Sequence, residues 1–242
     1  MPKQVDHVNR RRLIAEAVCR LTDERGLEGV TLRDVATRAR VSMGAVQRCF
    51  RTKEEMLAFA LGHVSERINE RVRARLVRSP AQSAGTALGH AATEIALLRE
   101  DHRAEARVWL AFLAQAAVSE ALAKTLKTNY AALQEMFAGL ISEASEAPEA
   151  SEASEASEAS EASEAMEAPE VTRAPARAGE VAVGRAAPVP APVDAQREAR
   201  ALLALADGLT THVLIGHLTP REAQDVLHAH LENLWERPAR HP

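Results

Sequence analysis

Apolar residues recur three or four positions apart over most of this chain, the spacing that lines one face of an α-helix. The first stripe, Leu13, Ile14, Ala17, Val18 and Leu21, predicts a helix over residues 7–24, with Gly26 as its stop. Leu32, Val35, Ala36 and Ala39 follow Thr31, a good N-cap, and predict a short second helix. Val41 and Ser42 close a turn of about three to four residues, the length expected of a helix-turn-helix. Residues 43–49 then form a third helix that begins with the small residues Gly44 and Ala45, which suits close approach to base edges. Thr52-Lys53-Glu54-Glu55 reads as a capping box, with Thr52 as N-cap and Glu55 reaching back. The helix it opens runs to about Arg78, before Pro80.

Further along, residues 81–99 make a small-residue helix or pair of helices. The next helix opens near Asp101 and carries Val108, Trp109, Phe112, Leu113 and Ala116 on its apolar side. Ser119 precedes a long helix to about Ile141, with Leu122, Leu126, Tyr130, Leu133, Phe137 and Leu140 at core spacing. Helical periodicity resumes at Asp194, where Leu202, Leu205, Ala206, Leu209, Val213 and Gly216 form one stripe. Thr219-Pro220-Arg221-Glu222 is a complete helix start, and the last helix carries Ala223, Val226, Leu227, His230, Leu231, Leu234 and Trp235.

Between these blocks the pattern vanishes. From Ser142 an x-Glu-Ala unit repeats to Glu170, and a three-residue step on a helix keeps no residue type on one face. With no apolar surface to offset ordering entropy, disorder is the expectation, and Pro175, Pro188, Pro190 and Pro192 extend the tract as a stiffer linker.

Composition agrees with an all-α chain: aromatics are only 3% of 242 residues, too few for strand-rich architecture. The net charge of −4 hides an asymmetry. Residues 142–170 hold ten glutamates and no Lys or Arg, whereas residues 1–78 hold seventeen Lys/Arg against ten Asp/Glu. The basic end is thus the helix-turn-helix end, as phosphate binding requires. Cys19 and Cys49 offer no disulfide framework, no apolar run approaches the roughly 18 residues that span a membrane, and the first residues lack the apolar core of a signal peptide. A cytoplasmic protein is expected.

Residues 8–57 resemble the DNA-binding head of TetR-family (tetracycline-repressor-like) transcriptional regulators. The match rests on Thr31, Ala36, Ala39, Val41, Ser42, Gly44, Phe50, Lys53, Glu54, Glu55 and Leu57. It departs at Arg40, where the family usually has glycine, and at Gln47 and Cys49, where aromatics are common. An arginine in that turn costs about 1 kcal/mol if the backbone takes positive φ. The segments EARVWLAFLAQAAVSEAL and ALADGLTTHVLIGHLTPREAQDVL are similar to the BetI-type subgroup.

The resemblance implies an all-α fold. A helix-turn-helix DNA-binding domain (1–52) would precede a helical sensor domain (53–141), a disordered linker (142–193) and a C-terminal helix pair for dimerisation (194–242). It implies that Thr31, Arg33 and Lys53 hold phosphates while Ser42, Met43, Ala45, Gln47 and Arg48 face the major groove, with Gly44 permitting close approach. The alternative for Arg33 and Arg48 is that they are solvated surface charges. A pocket for an unknown small-molecule effector would lie between the long fourth helix and those after it. Trp109 and Phe112 are candidates for its lining, with His90 or Glu94 supplying polarity, although core packing explains the aromatic pair as well. Leu202, Leu205, Leu209, Val213, Val226, Leu227, Leu231 and Leu234 would meet a second protomer in a four-helix bundle.

The expected function is a homodimeric, ligand-responsive repressor on a palindromic operator. The alternative is a helical small-molecule-binding protein with a lapsed DNA head. No cofactor and no catalysis are expected: there is no G-x-S-x-G, no phosphate loop, and no i,i+4 histidine pair among His212, His217, His228 and His230. The linker is either a solubilising spacer or a competitor with DNA for the basic head.

Overall fold

The computed structural model describes residues 2–78, 83–146 and 193–236, and among these all regular structure is helical. The helices are α1 (Pro2–Arg25), α2 (Leu32–Arg38), α3 (Met43–Cys49), α4 (Lys53–Arg78), α5 (Ala84–Ile95), α6 (Arg103–Ala116), α7 (Glu120–Glu146), α8 (Ala195–Leu214) and α9 (Pro220–Glu236), with a 3₁₀ turn at Glu100–His102 before α6. Side chains cap the helix starts, at Thr31 as the sequence predicts and also at Ser42 and Asp194. Thr31 Oγ1 accepts from Asp34 N (3.2 Å), Ser42 Oγ from Ala45 N (3.1 Å) and Asp194 Oδ1 from Arg197 N (3.0 Å). Glu222 Oε2 accepts from Thr219 N at 2.8 Å, completing the capping box of α9. In the box of α4, Glu55 reaches one residue further back than expected and accepts from Arg51 N (2.9 Å).

α1 begins earlier than its apolar stripe suggested. Leu13 is half exposed, because the buried line runs through Ile14, Val18 and Leu21, one position round the helix. Gly26 ends α1 at φ +76. These residues pack with Val35 and Ala36 of α2, Val46 and Cys49 of α3, and Phe50 in one core that continues into Met56, Leu61 and Val64 of α4 and Phe112 of α6. The second half of α4 joins another cluster, in which Val72, Leu88, Phe137, Ile141, Leu202 and Leu227 are buried together. α4 is therefore a spine shared by both cores.

Two expectations change. The linker was placed at 142–193, yet α7 continues through Ser142 to Glu146 and Val193 packs against the second cluster; the remainder lies outside the described residues. The dimer residues were placed on the apolar stripes of the last two helices. Leu202, Leu209, Val213, Leu227 and Leu234 are instead buried within the protomer, where α8 lies along α7, and Leu205 and Leu231 pack partly buried on the same cluster. Val226 alone of that set stays open, at 44% exposure. A helical apolar stripe must be covered, and here the same chain covers it.

Candidate nucleic-acid interface and effector cavity

α3 sorts its residues cleanly by side. Ala45, Val46 and Cys49 face inward, while Met43, Gln47 and Arg48 are exposed and Gly44 is half-buried. Ala45, expected at the groove, is thus a correction: its methyl packs against the head. Ser42 is exposed but its hydroxyl is engaged as N-cap of α3. The Arg48 guanidinium folds along its own helix, with Nη1 3.6 Å from where a Cβ on Gly44 would stand. Thr31, Arg33 and Lys53 are exposed at the starts of α2 and α4; the Thr31 hydroxyl also donates to Asp34 Oδ2 at 2.7 Å.

The orientation of α3 is fixed from behind. Arg38 of α2 grips Glu24 of α1 with two bonds of 2.5 and 2.6 Å, and this fork holds the Glu24 carboxyl below its ordinary range. Arg11 stacks its guanidinium over Phe50 and Phe59, 4.5 and 4.4 Å from the ring centroids, and lies 3.6 Å from Glu55. That stack spans the junction where α3 ends and α4 begins. Both thiols are buried, and burial pushes the Cys19 thiol up to about 12, which makes it inert rather than redox-poised.

A second feature lies deeper. Five helices enclose a cavity of ≈20 Å³, room for about one water molecule. Ser65, Ile68 and Asn69 of α4, Ile95 of α5, Trp109 of α6, Asn129, Tyr130 and Leu133 of α7, and Leu203 and Asp207 of α8 line it. Trp109 Nε1 donates to Asp207 Oδ1 at 3.0 Å, and the Tyr130 hydroxyl donates to Asp207 Oδ2. The two rings meet edge to face, centroids 6.0 Å apart. Burial raises the Asp207 carboxyl above its ordinary value, with the two donors pulling the other way. No Lys, Arg or His lines the cavity.

Of the expected pocket residues, only Trp109 is there. Phe112 is fully buried core, and His90 is not in the lining. Glu94 instead faces a charged cluster, 3.5 Å from Arg71 Nε, where Arg71 Nη1 also pairs with Glu105 at 2.5 Å and His102 is buried alongside. Arg67 and Arg71 of α4 both reach Glu105. Asp207, Tyr130, Asn129 and Ser65 were missed. The available signal was Asp207 itself, an acid set within the apolar stripe of α8 beside Ala206 and Leu209. His212 and His217 do come together, rings 4.9 Å apart, but no group of three or more potential metal ligands occurs among the described residues. Nor is any described helix long and apolar enough to cross a membrane.

Comparison with known proteins gives a consistent answer. The family described as "Bacterial regulatory proteins, tetR family" matches residues 14–59, and "BetI-type transcriptional repressor, C-terminal" matches residues 84–168 and 172–236. HTH-type transcriptional regulator PksA of Bacillus subtilis (strain 168) is 40% identical over 118 residues, covering 48% of this chain and 56% of that protein, so the match spans about half the relative's length. A transcriptional regulator from Rhodococcus sp. Rha1 has the same fold at TM-score 0.67 and 24% identity, over 96% of this chain and 99% of that one. A regulator from Saccharomonospora viridis, solved in complex with choline, aligns at TM-score 0.65 and 21% identity, over 92% and 95% of the two chains.

Proposed function

This chain belongs to the tetR family of bacterial regulatory proteins and is a transcriptional regulator; on that premise we propose that it is a homodimeric repressor released from a palindromic operator by a small organic cation. The observation that carries the DNA half is the sidedness of α3, with Met43, Gln47 and Arg48 exposed on a helix whose other face is locked into the head. Gln47 suits the donor-acceptor pair of adenine and Arg48 suits guanine or a phosphate, with Thr31, Arg33 and Lys53 as backbone anchors. A lapsed head would have no use for that solvent face, nor for the Arg38–Glu24 and Arg11–Phe50 contacts that aim it.

One short α3 makes too few base contacts for useful specificity, so two related by a dyad are needed. The residues that remain for the dimer contact are on the outward faces of α8 and α9: Ala201, Ala204, Gly208, Thr211 and the 71%-exposed Ile215, with Val226. Nothing lies within 4 Å of a Cβ built on Gly208, so a partner helix could approach closely there.

The effector half rests on Asp207. A half-buried carboxylate held by two neutral donors and flanked by two aromatic rings is matched by a cation, most simply an ammonium with an apolar body. The choline complex of the Saccharomonospora viridis protein is in keeping with that chemistry. Because the cavity as it stands admits only about one water, binding would have to spread the helices, and only differential affinity for the spread state would drive release. Within this scheme residues 1–52 act as the head, 53–141 as the sensor and 194–242 as the dimer unit.

Footprinting on the region upstream of the protein's own gene tests the reading. The expected result is a two-fold symmetric protected site whose half-sites are about one helical turn apart or more, and which is lost on adding choline or a related quaternary ammonium. Absence of any protected site would reject the DNA assignment. A site that persists with every cation tried would reject the effector assignment only.

A further inference from the structure

Two non-glycine residues among those described have positive φ, Leu97 at 49° and Arg40 at 55°. Leu97 is accounted for by packing. It is 3% exposed, and the neighbouring Ala96 carbonyl accepts a 2.6 Å bond from the buried Thr210 hydroxyl of α8, so the whole turn is pinned to the core. Arg40 has no such anchor. Its side chain is exposed and makes no ion pair or hydrogen bond with any described residue.

The backbone explains the φ but not the residue. Arg40 N bonds to Thr37 O at 3.2 Å and Val41 N to Ala36 O at 3.0 Å, the paired closing bonds of a helix whose next residue is left-handed. Glycine takes that position without strain, and every other residue takes it at a cost. A nearby carboxylate would offset that cost, but those around the turn are engaged: Glu24 by Arg38, Asp34 by Arg25, and Glu16 by Arg12 and Arg20. The strained arginine thus keeps its charge directed to solvent, two residues before the exposed Ser42 and Met43 that open α3.

We propose that Arg40 is a DNA-backbone contact of the head, its guanidinium taking a phosphodiester oxygen beside the groove that α3 enters, and that the strained turn is retained for this contact. The inference rests on the DNA-binding reading above. Backbone strain clusters where a ligand is held, and an arginine guanidinium forms strong, charge-assisted and often bidentate bonds with phosphate.

Opposite effects on stability and binding provide the test. Thermal melts and anisotropy titrations would compare wild type, Arg40→Gly and Arg40→Gln, using a labelled random-sequence duplex and one from the upstream region, between roughly 50 and 200 mM salt. Arg40→Gly should raise Tm by about 2–4 °C through relief of strain. It should also weaken binding to both duplexes several-fold at low salt and flatten the dependence of log K on log salt by about 0.9 per protomer. Arg40→Gln should flatten the slope equally without the gain in Tm. If wild type binds and both variants keep its affinity and slope, the contact is wrong while the DNA-binding reading stands. If wild type binds neither duplex, both fall together.

Discussion

Arg107 of α6 donates from Nε to Asp23 Oδ1 of α1 at 2.6 Å, joining the DNA head to the body across 84 residues of sequence. Its neighbours at alternate positions on α6 reach other helices: Glu105 pairs with Arg71 of α4, and Trp109 bonds Asp207 of α8. One helix thereby touches the head, the spine and the cavity. A displacement of Trp109 has a short covalent route to the head through α6.

The Arg107–Asp23 pair is 45% and 26% exposed in its side chains, so its energy is modest. Arg107→Gln should cost about 0.5–1 kcal/mol in urea denaturation at low salt and less at high salt. Hydrogen exchange around residues 22–30 should quicken in the same variant, because the loop beyond α1 loses its tie to α6. A loss well beyond that range, or one insensitive to salt, would mean that the pair supports packing rather than tethering.

Asp207 gives a pH signature. In the unfolded chain its carboxyl ionises near the ordinary value of about 3.9. In the fold, burial raises that value, so across the interval the native protein holds a proton that the unfolded chain has released. Stability from this group is complete below the unfolded pKa and is lost as pH rises through the raised native one. Asp207→Asn should therefore gain in Tm relative to wild type as pH is raised from about 4 to about 8. Added choline should narrow that gap by stabilising wild type more than the variant. A difference in Tm that does not change with pH would contradict the assignment.

The two faces of α8 should respond in opposite ways. Ala204→Arg lies on the exposed face, and it should give a folded protein that runs as a monomer in light scattering. Leu202→Glu puts a charge into a fully buried site and should unfold the protomer, seen as loss of helical circular dichroism. A folded monomer from Leu202→Glu would restore the interface expected from the sequence.

The head was legible in the sequence because its cues are local. The cap at Thr31, the stop at Gly26 and the inward line of Val35 and Ala36 depend on neighbours a few residues away. The dimer residues were misplaced because periodicity says that a face is covered, not by what; Leu202 and Leu227 are covered by helices of their own protomer. The cavity was hidden because its polar residues come from three helices, with Ser65, Tyr130 and Asp207 meeting only in the fold. Glu94 is not the pocket residue expected of it: its partner Arg71 sits 23 positions away on α4, beyond any local pattern.

The central claim, that α3 reads DNA, is tested most directly by equilibrium binding of wild type and a Gln47→Ala/Arg48→Ala double variant to the upstream duplex and to a random one. Wild type should bind the upstream duplex at least about 10³-fold more tightly than the random one at physiological salt. The double variant should lose most of that ratio while retaining salt-dependent affinity for both, because base contacts specify and phosphate contacts only position. A double variant with an undiminished specificity ratio, or a wild type with none, would contradict the account.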